Sequence, residues 1–326
     1  MAEEASSRAS AGRPTPGLKP PQRLERAVAE AAGPGAAAAQ EWLSGLPALA
    51  SGYLQKWQLT PERVQTPGGR SSLVVLVRQE DGTPAALKLT RPAAGHEQEH
   101  AALARWDGRA AVRLLRSVPA DGVLLLERLR PDVSLRSLPE AKAMLEAANT
   151  LQRLWLEPEP GDADFATVTA RTDRQAELLR RWREGPDAGA EVVLIDEALA
   201  HQEALTAAAE GDSAGPVSLL HGDYHQGQVL AAERAPWLAI DPRPVVGERA
   251  YDLAWLVRDR LDTLIGSPGA AAAARRRVGR LSDLLEVDRE RLRAWTQFRC
   301  VAAGVAALAD RDRRGGELLL EFAGLL

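Results

Sequence analysis

The chain carries a single cysteine, Cys300, so no intrachain disulfide can staple it, and a reducing, cytoplasmic setting is expected. Aromatic residues make up only 4% of it, and its eight tryptophans are scattered rather than interleaved with basic residues. That is not the pattern of a stacking platform for nucleic acid, and a net charge of −4 supplies no polycationic surface for one. No apolar run approaches the roughly 18 residues of a membrane-spanning helix, because Arg, Asp or Glu interrupts every leucine-rich stretch. No basic-then-apolar leader pattern opens the chain. Neither nucleic acid nor membrane is therefore an expected partner. Lysine is scarce as well, with four residues, which makes the position of each one informative. What is present is 326 residues, 45% hydrophobic and 26% charged, enough for two ordinary domains with a real core.

Residues 1–40 are rich in Ala, Gly, Pro, Ser and Arg, and Pro14, Pro16, Pro20 and Pro21 oppose an early helix, so this segment reads as a mobile tail with at most a short helix near Leu24. From Gln40 to Gln58 the spacing of Trp42, Leu43, Leu46, Leu49, Leu54 and Trp57 predicts a helical stripe interrupted by Pro47 and Gly52. The period then changes. "SSLVVLV" at 71–77 and "PAALKL" at 84–89 flank "QEDGT", a hairpin signature in which Asp81 and Gly82 supply positive φ angles. A helix is expected over 96–106, strands over 111–116 and 122–129, and helix through most of 138–207 except "EPEPGDADF". Three short β-like pieces end at Leu220, Leu230 and Ile240, and helices resume at Arg249. The order is thus a small strand-rich lobe over 41–129, a connection at 127–129, and a larger helical lobe over 130–326 with a β insertion.

Chemistry concentrates in "LLHGDYHQGQVL" at 219–230 and "WLAIDPRPVVGERAYDLAWL" at 237–256. Two apolar strands each deliver a carboxylate at a loop: Asp223 follows Leu220 by three residues, and Asp241 follows Ile240 directly. If the pieces ending at Leu230 and Ile240 pair as a hairpin, both acids can face one cleft. Such a pair suits phosphoryl transfer, in which one carboxylate accepts the proton of an attacking hydroxyl and another holds the magnesium that bridges nucleotide phosphates. Gln228, five residues after Asp223, brings an amide oxygen of the hard type magnesium takes.

These two segments, with "SSLVVLVRQEDGTPAALKL", "EHAALARWDGRAAVRLL" and "LLLERLRP" upstream in the same order, resemble the aminoglycoside phosphotransferase family, in its streptomycin and hydroxyurea resistance branch. The resemblance implies an α+β, bilobal, protein-kinase-like fold and an ATP- and Mg2+-dependent kinase acting on a hydroxyl of a small molecule. Carried onto matching positions, it implies Asp223 as catalytic base, His221 as a shaping residue before it, and Gln228 and Asp241 as magnesium ligands. It places Lys88 on the nucleotide phosphates, held by Glu99, with Glu97 as the competing partner. The backbone of Glu127, Arg128 and Leu129 would receive adenine, Ser71 and Ser72 would lie on the loop over the phosphates, and Asp252 would brace the catalytic loop. Two departures stand out. Gln228 occupies a position where the family more often has Asn, and "TPGGRSS" is not a Gly-x-Gly-x-x-Gly loop, so its serines and main-chain amides must cradle phosphate.

Other readings of the same residues exist. A nucleotide-binding pseudokinase serving as scaffold would share the fold, and His221 with His225, four apart, could suggest zinc if they lay on a helix. "AARRRVGR" at 273–280 reads as a solvated helix face, and the acidic 157–165 loop could attract a cationic substrate or simply be exposed.

Overall fold

Alternating Val, Leu and Ala runs leave each strand with two faces to cover, and the N-terminal part covers them differently. The computed structural model describes residues 17–31, 35–91, 98–209 and 215–326. Its elements run α1 (Gln22–Ala29), α2 (Ala36–Lys56), β1 (Thr60–Val64), β2 (Ser72–Arg78), β3 (Pro84–Thr90), α3 (Glu99–Trp106), β4 (Leu114–Val118) and β5 (Val123–Glu127). The strands form an antiparallel sheet in the order β1-β2-β3-β5-β4. One face, with Leu73, Val75, Leu87, Leu89, Val123 and Leu125, packs under α1 and α2 through Leu24, Val28, Leu46, Ala50 and Tyr53. Leu124 and Leu126 point the other way and join Leu103 and Trp106 in the core of the C-terminal part. Lys88 lies opposite Leu124 in the β3–β5 register, so the period of two aims it toward that second face.

The expected tail needs correction. Residues 1–16 lie outside the described residues, but α1 is a formed helix within the remainder, with Leu24 fully buried and Val28 nearly so. Pro20 and Pro21 precede the helix rather than break it, since proline's fixed φ suits a helix entrance. Pro47 likewise falls inside α2, which runs unbroken over 21 residues. In the β2–β3 turn only Gly82 takes positive φ; Asp81 instead accepts from the Thr83 N–H at 2.8 Å. The helix expected from residue 96 begins, among the described residues, at Glu99; Glu97 lies outside them.

The C-terminal part continues with β6 (Arg130–Ser134), α4 (Glu140–Leu154), α5 (Val168–Arg183), α6 (Val192–Ala209), β7 (Val217–Leu220), β8 (Val229–Ala231), β9 (Trp237–Ala239), β10 (Val245–Glu248), α7 (Arg249–Val257), α8 (Leu261–Ile265), α9 (Ala270–Leu285), α10 (Arg289–Ala309) and α11 (Arg313–Ala323). β8 and β9 form the expected hairpin, with β6 added on the β8 side, and β7 pairs with β10. Helix α10 is buried along most of its length and packs on α5, α6, α7 and α11. The basic run at 273–280 is only partly a solvated face: Arg277 is 9% exposed and donates to the Val257 and Asp259 carbonyls and to Glu140. Among the described residues no helix is long and apolar enough to cross a membrane.

Candidate active site

The β8–β9 hairpin fixes the spacing of two site residues. Val229 pairs with Ala239, and the Ile240 N–H donates to the Gln228 carbonyl at 2.9 Å, so the side chains just outside the ladder emerge together. Gln228 Nε2 donates to Asp241 Oδ2 at 3.1 Å. Asp241 itself sits at φ 59°, a left-handed conformation that turns the chain sharply out of the strand and that Asp tolerates better than most residues.

Lys88 arrives from β3 and donates to both Glu99 carboxylate oxygens at 2.7 Å and to Asp241 Oδ1. Lys88 is 4% exposed and Glu99 1%. Burial alone would lower the Lys88 pKa, but the charges of Asp241 and Glu99 outweigh it and hold the ammonium above its ordinary value. One ammonium therefore faces two carboxylates. Burial, reinforced by the charge of Asp241, pushes Glu99 up to about 7 against the pull of Lys88.

Asp223 lies in the loop after β7, and that loop is built around a buried carboxylate. Asp252, fully buried in the first turn of α7, accepts from the His221 N–H at 2.9 Å and the Gly222 N–H at 2.8 Å. Gly222 has φ +78°, and a Cβ there would stand 1.8 Å from the Arg243 carbonyl oxygen, so the loop closes only on glycine. The His221 ring spans both carboxylate-bearing loops: Nε2 lies 2.9 Å from the Ile240 carbonyl and Nδ1 accepts from the Asp223 N–H at 3.3 Å. Burial holds His221 below the usual histidine range, favouring the neutral ring this bridge requires. His225 Nδ1 accepts from the Gly227 N–H at 3.1 Å. The segment is a loop and short 3-10 turn rather than a helix, so the histidines do not form an i, i+4 zinc pair; among the described residues no cluster of three His, Cys, Asp or Glu could hold a metal.

Lys88, Glu99, Gln228 and Asp241 thus form one contact network, with Asp223 joined to it through His221. The other expected residues lie nearby or apart in instructive ways. Ser72 is buried at the start of β2, and the Ser71 carbonyl accepts from Arg91 at 2.8 Å, so both stand at the base of the 66–70 loop. The Glu127 N–H is already given to the Arg113 carbonyl at 3.0 Å. Arg128 folds back onto the sheet, bonding the Ala85 and Val77 carbonyls and Glu62. Leu129 is 8% exposed.

Four arginines at or around the site were not anticipated. Arg243 Nε stands 3.8 Å from Asp223 Oδ2. Arg171, on α5, holds the Arg243 and Pro244 carbonyls at 2.8 and 3.1 Å. Arg299, on α10, donates to the Gly222 carbonyl at 2.7 Å and the Tyr251 carbonyl at 2.6 Å while stacking on Tyr251 and Trp255. Arg234 grips Glu127. A charged residue inside the apolar stretch of α10 was the one available signal, for Arg299.

A five-stranded lobe presenting a lysine and a helical lobe presenting two loop carboxylates define a protein-kinase-like phosphotransferase. Solved structures agree on the fold: an aminoglycoside phosphotransferase in ternary complex with AMP-PNP and hygromycin B (TM-score 0.59, 15% identity, 84% of this chain and 96% of that one) and choline kinase LicA from Streptococcus pneumoniae (TM-score 0.58, 12% identity, 86% and 97%). The model of the aminoglycoside/hydroxyurea antibiotic resistance kinase family matches residues 56–312. The chain is 34% identical to streptomycin 6-kinase of Streptomyces glaucescens, over 83% of its own length and 86% of that protein. It is 36% identical to hydroxyurea phosphotransferase of Kitasatospora aureofaciens, over 89% and 83%. The chain belongs to the aminoglycoside/hydroxyurea antibiotic resistance kinase family. It is an ATP-dependent phosphotransferase with a small-molecule hydroxyl acceptor.

Proposed function

We propose that this kinase transfers the γ-phosphoryl group of ATP to a hydroxyl of a streptomycin-like antibiotic in the cytoplasm, with Asp223 as base. The observation that supports this assignment of roles is the joining of Lys88, Glu99 and Asp241, brought from separate segments, at one point beside the Asp223 loop. Asp223, partly exposed, orients the acceptor hydroxyl and takes its proton, with Arg243 Nε 3.8 Å from its Oδ2. Lys88 meets the nucleotide phosphates, and Glu99 fixes where its ammonium points. Asp252 and His221 hold the loop, and Leu129 offers backbone to adenine at the hinge. The donor set fits magnesium: the Asp241 carboxylate, 29% exposed, would be one hard oxygen ligand, and the Gln228 side chain, whose Nε2 donates to Asp241 Oδ2 at 3.1 Å, would bring its amide oxygen as a second on turning its amide over. Bound there, the ion supplies neutralisation of charge on the transferring group.

The streptomycin kinases of Streptomyces glaucescens and Streptomyces griseus, at 34% and 36% identity over most of this chain, support the acceptor class. The scaffold reading is not favoured, because the relatives are kinases of streptomycin and hydroxyurea. A phosphotransfer assay with ATP, Mg2+ and either streptomycin or hydroxyurea tests the substrate; phosphorylation of hydroxyurea alone refutes the streptomycin-like acceptor. Asp223→Asn is expected to lower kcat by about 10² to 10⁴ while ATP binding stays near wild type. Retained turnover removes Asp223 from the role of base.

A further inference from the structure

Arg234 lies in the turn between β8 and β9, and its guanidinium reaches across to the last residue of β5. Nε donates to Glu127 at 2.9 and 3.0 Å, Nη2 donates to Glu127 Oε1 at 2.6 Å, and Nη2 also meets the Ala111 carbonyl at 2.7 Å. The same carboxylate accepts from the Arg113 N–H at 2.6 Å. Glu127 is thereby held from both sides just before the connection between the lobes, and Arg128 after it is tied to the N-terminal sheet.

The turn that carries Arg234 belongs to the hairpin whose open end carries Gln228 and Asp241. That hairpin is also joined to the 110–112 segment by main-chain bonds, Val112 N to Ala239 O and Ala239 N to Ala110 O, each 2.8 Å. A rigid two-stranded unit therefore touches the hinge at one end and the phosphate-facing acid at the other. A planar guanidinium with two donors on one carboxylate fixes angle as well as distance, which a lysine cannot do.

We propose that Arg234 is a positioning residue for nucleotide: it locks the hinge strand to the hairpin and so sets the distance between the adenine end and the triphosphate end of the site. The proposal rests on the reading above, in which ATP spans the hinge and Asp241. Loss of the lock loosens nucleotide binding more than it slows transfer.

The test compares wild type with Arg234→Ala, Arg234→Lys and, as a stability control, Phe322→Leu in the fully buried core contact of α11. Steady-state kinetics give KM for ATP, KM for acceptor and kcat; melting temperatures are measured alongside, and ADP binding is measured by calorimetry. Arg234→Ala is expected to raise KM for ATP and weaken ADP binding roughly tenfold, with acceptor KM changed less than twofold and kcat affected less than KM. Arg234→Lys recovers part of the loss, and Phe322→Leu lowers the melting temperature without moving KM for ATP. An Arg234→Ala enzyme with wild-type KM for ATP overturns the proposal, as does a KM shift reproduced by Phe322→Leu. If wild type binds no ADP, the reading of the site fails first and the lock with it.

Discussion

Asp252 is the most consequential buried group that never meets substrate. Its two oxygens each accept one main-chain N–H, from His221 and Gly222, in a place closed to water. Asp252→Asn keeps shape and volume but turns one acceptor into a donor that faces another donor. At least one N–H then loses its partner, and the surviving bond loses its charge. Bonds to a charged acceptor are worth about 1.5–3 kcal/mol, and a stranded buried donor costs about 1–3 kcal/mol, so a destabilisation of about 2–4 kcal/mol is expected. The loop must also move to relieve the donor–donor contact, carrying Asp223 with it. If Asp223 is the base, as proposed, a displacement near 1 Å there costs on the order of 10²-fold in rate. Urea unfolding at pH 7.5 measures the first effect, and kcat at saturating ATP and acceptor measures the second. Asp252→Ala, which removes both acceptors without adding a donor, is expected to be at least as unstable. An Asp252→Asn protein within 0.5 kcal/mol of wild type, turning over within twofold of it, would refute the view that this carboxylate organises the loop.

Gln228→Ala is expected to raise the Mg2+ concentration for half-maximal activity about tenfold at saturating ATP, since one of two side-chain oxygen donors is lost; an unchanged Mg2+ curve removes Gln228 from the metal site. Stability has a pH dependence whose sign follows from burial. His221 and His225 are both held below the ordinary value of 6.5, so below pH 6.5 the unfolded chain takes up protons that the folded one refuses, and stability falls as pH drops. Glu99 works the other way, because its folded value near 7 exceeds its unfolded 4.5 and the folded form gains a proton as pH falls through that window. The two histidines outnumber the one acid, so stability is expected to fall as pH drops from 6.5 to 5.5. Urea midpoints that rise between pH 6.5 and 5.5 would contradict this balance.

What could be read from the chain alone was whatever is written locally. The β2–β3 hairpin announces itself because both partners are short apolar runs and the five residues between them contain Asp81-Gly82. The β8–β9 pair follows the same logic, and with it the approach of Gln228 to Asp241. Strands β1, "TPERV", and β6, "RPDVS", carry no such pattern, since proline and charge occupy three of the five positions in each. Each is a strand because a neighbour offers an edge, β2 in one case and β8 in the other, so its identity comes from tertiary contact. For α1 the short helix near Leu24 was legible but its burial was not, since two apolar side chains four apart do not reveal the sheet that receives them.

The arginines fail for a related reason, and they show where sequence reading of an active site must stop. Lys88 was conspicuous because lysine is rare here and this one interrupts an apolar strand. Arginine is common throughout the chain, so a single Arg at 171, 234, 243 or 299 carries little information by itself. Their partners are also remote: Arg234 meets Glu127 across 107 positions, and Arg299 meets Gly222 across 77. Residue types in short motifs locate the groups proposed to react. The groups that hold those motifs at working distance come from other elements, where one carbonyl or carboxylate needs a donor and any helix passing at the right height can supply it. Chemistry is therefore legible in the loops of this kinase, whereas the rigidity that makes the chemistry effective resides in contacts that only the folded topology creates.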